Sequence, residues 1–81
     1  MNTDLAALRT QITDLNRTVR DLGNDVSRTE FSLGTATKRG QAAAIAKHTA
    51  VLAEAVAKLE AAKAERAALE AAYDAAGGQD W

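Results

Sequence analysis

Residues of the types that perform chemistry are few in this sequence, and they do not cluster. The chain has no cysteine, and its one histidine is His48. Its serines are Ser27 and Ser32, and no group of His, Cys and carboxylate residues stands at metal-ligand spacing. Gly34 and Gly40 do not form a phosphate-binding loop, because no strand precedes them. Catalysis needs convergent groups, so the sequence predicts a protein that is not an enzyme and binds no metal or cofactor.

One interval of the chain has a distinctive charge. Between Glu30 and Glu54 there is no acidic residue, and the interval contains these basic side chains: Lys38, Arg39, Lys47 and His48. Cations stabilise the C-terminus of a helix but destabilise the N-terminus of the next, so helix dipoles explain only part of the cluster. Lys47 and His48 are most simply solvated surface residues. The alternative is a tip that binds phosphate, nucleic acid or an acidic partner, although Phe31 is the only nearby aromatic residue for base stacking.

The first half of the chain predicts a long amphipathic helix over about residues 3–33, with Thr3 as the N-cap. Its large apolar residues recur at alternating steps of three and four, which is the heptad pattern of a coiled coil. They are Leu5, Leu8, Ile12, Leu15, Val19, Leu22 and Val26, followed by Thr29 and Leu33. Gly23 interrupts the run at a cost of about 1 kcal/mol relative to Ala, without changing the phase.

The second half predicts an alanine-rich helix over about residues 37–76, which ends at Gly77 and Gly78. Its candidate seam residues are Ile45, Leu52, Val56, Leu59, Leu69 and Tyr73. Thr49 fits the first part of this seam, whereas Ala62 and Arg66 follow a frame shifted by one residue. We therefore expect the apolar stripe to drift around the helix near Lys63.

Pairing of the two seams predicts an antiparallel α-helical hairpin. Four facing pairs share one midpoint: Val26 with Ile45, Val19 with Leu52, Leu15 with Val56, and Ile12 with Leu59. That midpoint places the turn at about residues 34–36, beside Gly34. In this register Leu5 faces Arg66, and the second helix extends two turns beyond the first.

A hairpin of this size leaves much of each seam in water, so we expect a homo-oligomer. A dimeric four-helix bundle is the simplest form, and an elongated trimer or parallel pairing of first helices are alternatives. Arg66 is expected to cover Leu5 with its stem and reach Glu70. It could instead fix register or partner choice. Residues 77–81 form a predicted flexible tail, in which Trp81 either is free or anchors a partner.

The chain has 81 residues and a formal net charge of -1, which does not favour a general binder of nucleic acid or membranes. The sequence has neither the features of a signal peptide nor an apolar run long enough to span a bilayer, so we expect a cytoplasmic protein or a component of a phage particle. We interpret the chain as a structural or adaptor protein that acts by coiled-coil self-assembly or by docking a partner helix. The alternative is a small regulatory protein that binds nucleic acid or another anion through the basic turn.

Overall fold

The computed structural model describes residues 4–78, which form two antiparallel helices and contain no strand. Helix α1 spans Leu5–Lys38 and helix α2 spans Ala42–Ala75, each with 34 residues. They pack along their whole length into a rod of 58 × 19 × 13 Å, whose long axis fits a helix of about 51 Å at 1.5 Å per residue. The predicted all-α hairpin is confirmed.

Both helices end at a glycine in the left-handed region. Gly40 has φ +66° and Gly77 has φ +85°, a conformation that costs little only without a Cβ. The Gln41 N–H donates to the Ala36 carbonyl at 3.1 Å, and the Gly78 N–H donates to the Tyr73 carbonyl at 2.9 Å. Each glycine thus closes its helix with the same backbone motif. The predicted helix end at Gly77 and Gly78 is confirmed. These two glycines belong to the end of α2 and not to the predicted flexible tail, and Trp81 lies outside the described residues.

The N-terminus of α1 is capped by Asp4, whose Oδ1 accepts a hydrogen bond from the Ala7 N–H at 3.1 Å. A carboxylate at this position satisfies one of the free amides of the first turn and complements the helix dipole. Helix α1 was predicted to start at about residue 3 with Thr3 as its cap, but it starts at Leu5. Thr3 itself lies outside the described residues.

The predicted turn at residues 34–36 is wrong, and so are the predicted end of the first helix at residue 33 and the predicted start of the second at residue 37. Gly34 lies inside α1, and the turn is Arg39–Gln41. Continuing the helix to Lys38 buries Ala36, which is only 3% exposed, and leaves Gly40 to supply the left-handed residue. The extra turn of α1 therefore adds both burial and a better C-terminal glycine.

Two hydrogen bonds between the helices fix their register. Arg9 Nη2 donates to Tyr73 Oη at 2.8 Å, and Arg66 Nη1 donates to Asn16 Oδ1 at 3.1 Å. Gln41 lies midway along the chain between the partners of both pairs. The predicted facing pairs, centred between residues 35 and 36, are therefore wrong. The helices end level with each other, and α2 does not extend beyond α1.

The seam of α2 runs without a break, so the predicted slip near Lys63 is also wrong. From Ile45 onward, the shielded residues of α2 and its C-cap keep alternating steps of three and four: Ile45, His48, Leu52, Ala55, Leu59, Ala62, Arg66, Leu69, Tyr73 and Ala76. His48 and Ala55 occupy the layers that the sequence assigned to Thr49 and Val56, which are exposed. Phase along the helix decides burial here, and side-chain size does not.

Within residues 4–78, neither helix combines the length with the apolar content that crossing a membrane requires.

Two glycine variants test the position of the turn. A Cβ at Gly34 would meet no atom within 4 Å, so Gly34→Ala should raise the free energy of unfolding by about 0.5–1 kcal/mol. Gly40→Ala should lower it by about 1–2 kcal/mol, because Ala is strained at positive φ. Urea denaturation at one fixed protein concentration measures both. A loss of stability in Gly34→Ala with none in Gly40→Ala would contradict a turn at Gly40.

Candidate functional site

The predicted assembly seam is the contact between the two helices, yet few of its residues are fully buried. Ile12 is 2% exposed and Tyr73 is 3% exposed, and Ala36 and Ala62 complete the buried set. The other seam residues are only partly covered: Leu5, Leu8, Leu15, Val19, Leu22, Val26, Ile45, Leu52, Leu59 and Leu69. Val56 lies beside the seam and is 39% exposed. A helix covered by only one neighbour leaves both flanks of its apolar stripe open to water.

Tyr73 closes the end of the hairpin that lies away from the turn. Its hydroxyl accepts the hydrogen bond from Arg9, and the Arg9 guanidinium carbon lies 5.8 Å from the ring centroid. The backbone at Gly78 passes so close to the ring that a Cβ there would collide with it. Tyr73 was expected to lie beyond the first helix and need an external cover, but α1 and the Gly78 turn of its own chain cover it.

Arg66 occupies a seam position and links the two helices. Besides its hydrogen bond to Asn16, its Nε lies 3.7 Å from Glu70 Oε1, as expected from the sequence. The expected contact between its stem and Leu5 is wrong, because the register places Arg66 beside Asn16. Arg9 and Asn16 each directly follow a seam residue of α1, so both interhelical bonds lie on the same flank of the hairpin.

The structure divides the predicted basic tip into two parts. Lys38 is the last residue of α1 and Arg39 is its C-cap, where cations complement the helix dipole. Lys47 is also exposed, whereas His48 is half-buried on the seam of α2. Within residues 4–78, the Lys38, Arg39 and Lys47 side chains make no ion pair or hydrogen bond. The tip therefore consists of exposed cations at the turn, and His48 belongs to the packing between the helices.

A groove runs along the opposite flank of the hairpin, and we call it the lateral groove. Its main depression has a volume of about 380 Å³ and lies between Leu22, Asp25 and Arg28 of α1 and Val51, Glu54 and Lys58 of α2. A second depression of about 260 Å³ lies nearer the turn, between residues that include Phe31 and His48. Phe31 is 78% exposed and Val51 is 44% exposed. Large apolar side chains at the groove thus remain in water.

The sequence did not predict the lateral groove. Its residues come from both helices, and only the register brings them together. One signal was available, since Phe31 and Val51 are large apolar residues that fall outside the heptad positions. For metal chemistry, the described part of the chain contains no group of three or more His, Cys, Asp or Glu residues that could hold an ion.

Tyr73 provides a test of how firmly the far end is closed. Tyr73→Ala should lower the free energy of unfolding by about 3–5 kcal/mol, because it removes a buried ring. Tyr73→Phe keeps the ring and loses the bond from Arg9, so the loss should be about 0.5–1.5 kcal/mol. Urea denaturation of both variants at equal concentration measures the difference. Equal losses in the two variants would show that the ring contributes little by packing.

Comparison of the chain with protein-family models, curated proteins and solved structures finds no match in any of the three. Its function is therefore inferred from the surfaces and charges of the hairpin.

Proposed function

We propose that this chain is a non-enzymatic structural or adaptor protein that acts by self-association of its helical hairpin. The observation that carries the proposal is the thinness of the molecule. The rod measures 13 Å in its shortest dimension against 58 Å in its longest, and its two helices lie side by side in one layer. A single layer of two helices cannot enclose a core, and a second layer on either face would cover the seam residues that are now half-buried.

The exposed area supports the same proposal. The chain exposes 5757 Å², whereas a compact folded monomer of 8.5 kDa exposes about 4,700 Å². The excess of about 1,000 Å² exceeds the roughly 800 Å² that each partner buries in a protein interface of standard size. A dimer of hairpins, forming a four-helix bundle, would remove this excess from water.

Docking of a helix from another protein is a second way to cover the same surface. An amphipathic helix laid along the hairpin would also complete the apolar layer. A second copy needs no additional component, and homo-oligomers with two-fold symmetry are the commonest soluble assemblies. We therefore favour self-association. Docking of a helix from another protein is the alternative way in which the same surface would act.

Self-association predicts a mass and a stability that depend on concentration. The mass from light scattering should rise from that of one chain, 8.5 kDa, towards twice that value as protein concentration increases. The midpoint of thermal unfolding should rise with concentration as well, because mass action stabilises the folded oligomer. A constant mass of one chain and a constant midpoint over a hundredfold range of concentration would contradict the proposal.

The basic tip supports an alternative function, the binding of nucleic acid or another anion. The supporting observation is that Lys38, Arg39 and Lys47 are exposed and make no ion pair within residues 4–78. Three cations near one turn attract phosphate, but they provide neither a groove nor stacking side chains for reading bases. Such binding would therefore be weak, insensitive to sequence and strongly dependent on salt.

A charge-reversal experiment tests this alternative. A fluorescent oligonucleotide should bind at low salt, and Lys38→Glu with Arg39→Glu should weaken binding at least tenfold. Arg17→Glu with Arg20→Glu makes the same change in net charge on α1 away from the turn, and should have a smaller effect. The alternative is wrong if the unmodified protein does not bind at low salt, or if the two double variants lose binding equally.

A further inference from the structure

We propose that the lateral groove is the surface on which two copies of this chain meet, groove to groove and with their turns side by side. This inference rests on the proposed self-association and names the surface that carries it. The two copies are related by a two-fold axis parallel to the long axis of the hairpin. Four charged residues on the rim and two exposed apolar residues carry the inference: Asp25, Arg28, Phe31, Val51, Glu54 and Lys58.

The flank that bears the lateral groove is the more open one. On the other flank, Arg9 and Asn16 form hydrogen bonds across the seam to α2. Within residues 4–78, no side-chain hydrogen bond or ion pair crosses between the helices at the groove. Both ion pairs on its rim lie within one helix, Asp25 with Arg28 at 3.7 Å and Glu54 with Lys58 at 3.2 Å. The apolar floor is therefore not bridged by polar groups.

The four rim charges alternate around the groove. Arg28 and Glu54 lie equally far along the chain from Gln41, so a cation on α1 stands across from an anion on α2. Asp25 and Lys58, one helical turn further from the turn of the hairpin, stand across from each other with the signs reversed. The rim thus has two acids and two bases at alternate corners, with no net charge.

Alternating corners make the surface complementary to itself. A two-fold rotation parallel to the hairpin axis places α1 of one copy over α2 of the other, at the same distance from the turn. Arg28 then faces Glu54 of the other copy, and Asp25 faces Lys58 of the other copy. A rotation about the perpendicular axis in the same plane would also pair opposite charges. The charges alone therefore specify a second copy but do not choose the axis.

The exposed apolar residues Phe31 and Val51 decide between the parallel and the perpendicular two-fold axis. Phe31 and Val51 lie equally far along the chain from Gln41, one on each helix. With the axis parallel to the hairpin, Phe31 of each copy meets Val51 of the other, and both leave water. With the perpendicular axis through the centre of the rim charges, Phe31 would instead lie level with Leu22 of the other copy, which its own hairpin already half-buries. Val51 would lie level with Ala61, so the two large exposed residues would not meet. Burial of apolar surface therefore favours the arrangement with the turns side by side.

Within one copy, the rim ion pairs contribute little and are available to the partner. The side chains of Asp25 and Arg28 are 57% and 79% exposed, and exposed pairs of this kind add little to stability. Across an interface, the same side chains would meet opposite charges with less water around them. The interface would then be sensitive to both charge reversal and salt.

A mixing experiment with two charge variants tests the proposal. Asp25→Lys with Glu54→Lys makes all four rim charges positive, and Arg28→Glu with Lys58→Glu makes them all negative. Alone, each variant should dimerise at least tenfold more weakly than the unmodified chain, because every facing pair becomes repulsive. Mixed in equal amounts, they should form a heterodimer with the affinity of the unmodified dimer or better. Sedimentation equilibrium at low salt measures the affinities, and circular dichroism confirms that each variant is helical.

Two matched controls separate the groove from the rest of the surface. Glu30→Lys with Glu60→Lys changes the net charge by the same amount as Asp25→Lys with Glu54→Lys, but at positions away from the groove. This control should leave dimerisation unchanged. Val51→Ser should weaken the dimer several-fold, whereas Val56→Ser should not. These two valines are 44% and 39% exposed on opposite flanks of α2, so the comparison holds exposure nearly constant.

The outcomes separate this inference from the function on which it rests. If the unmodified chain remains a monomer, self-association fails and the groove interface fails with it. If the chain dimerises but the charge variants and Val51→Ser leave affinity unchanged, self-association stands and the groove is the wrong surface. Rescue by mixing, together with inert controls, would support the groove, and it could not arise from a failure of either variant to fold.

Discussion

The turn at Gly40 determines where every residue of one helix lies against the other. Its φ of +66° is costly for a residue with a Cβ, so the left-handed position at the end of α1 is effectively tied to a glycine. With the chain reversed there, the midpoint at Gln41 brings Tyr73 to Arg9 and Arg66 to Asn16. It also makes the helices end level, so that neither leaves an uncovered overhang. A turn at Gly34 would slide α2 along α1 by about three helical turns and break both bonds.

The hairpin could be predicted from sequence, but its register could not. The heptad spacing from Leu5 to Val26 and the glycines at 77 and 78 specify the first seam and the second helix end. Gly34 and Gly40, however, each follow a stretch that could be the last turn of α1. Four facing pairs agreed on the wrong midpoint, because a seam with steps of three and four can slide by whole helical turns and still pair apolar residues. The local heptad pattern thus defines which face of each helix packs against the other. Whether the turn lies at Gly34 or at Gly40 depends on how much surface the two helices bury along their whole length.

Alanine explains both the straight second seam and the thin core. Ala55 holds a seam position that a search for large residues assigns to its neighbour Val56, and this produced the mistaken slip near Lys63. Alanine favours the helix strongly but removes little apolar area from water when it packs. A seam with many alanines therefore gives long, regular helices that meet closely and bury few side chains completely. The half-buried leucines and valines beside them follow from the same composition.

The charge pattern of the lateral groove follows from the antiparallel turn. In chain order both helices carry an acid before a base, Asp25 before Arg28 on α1 and Glu54 before Lys58 on α2. Because the helices run in opposite directions, the same order in sequence becomes opposite order in space, and the four corners alternate. Two parallel helices with these residues would instead place like charges across from each other. A turn that fixes the register of one chain therefore also gives its surface the alternation that a second copy can match.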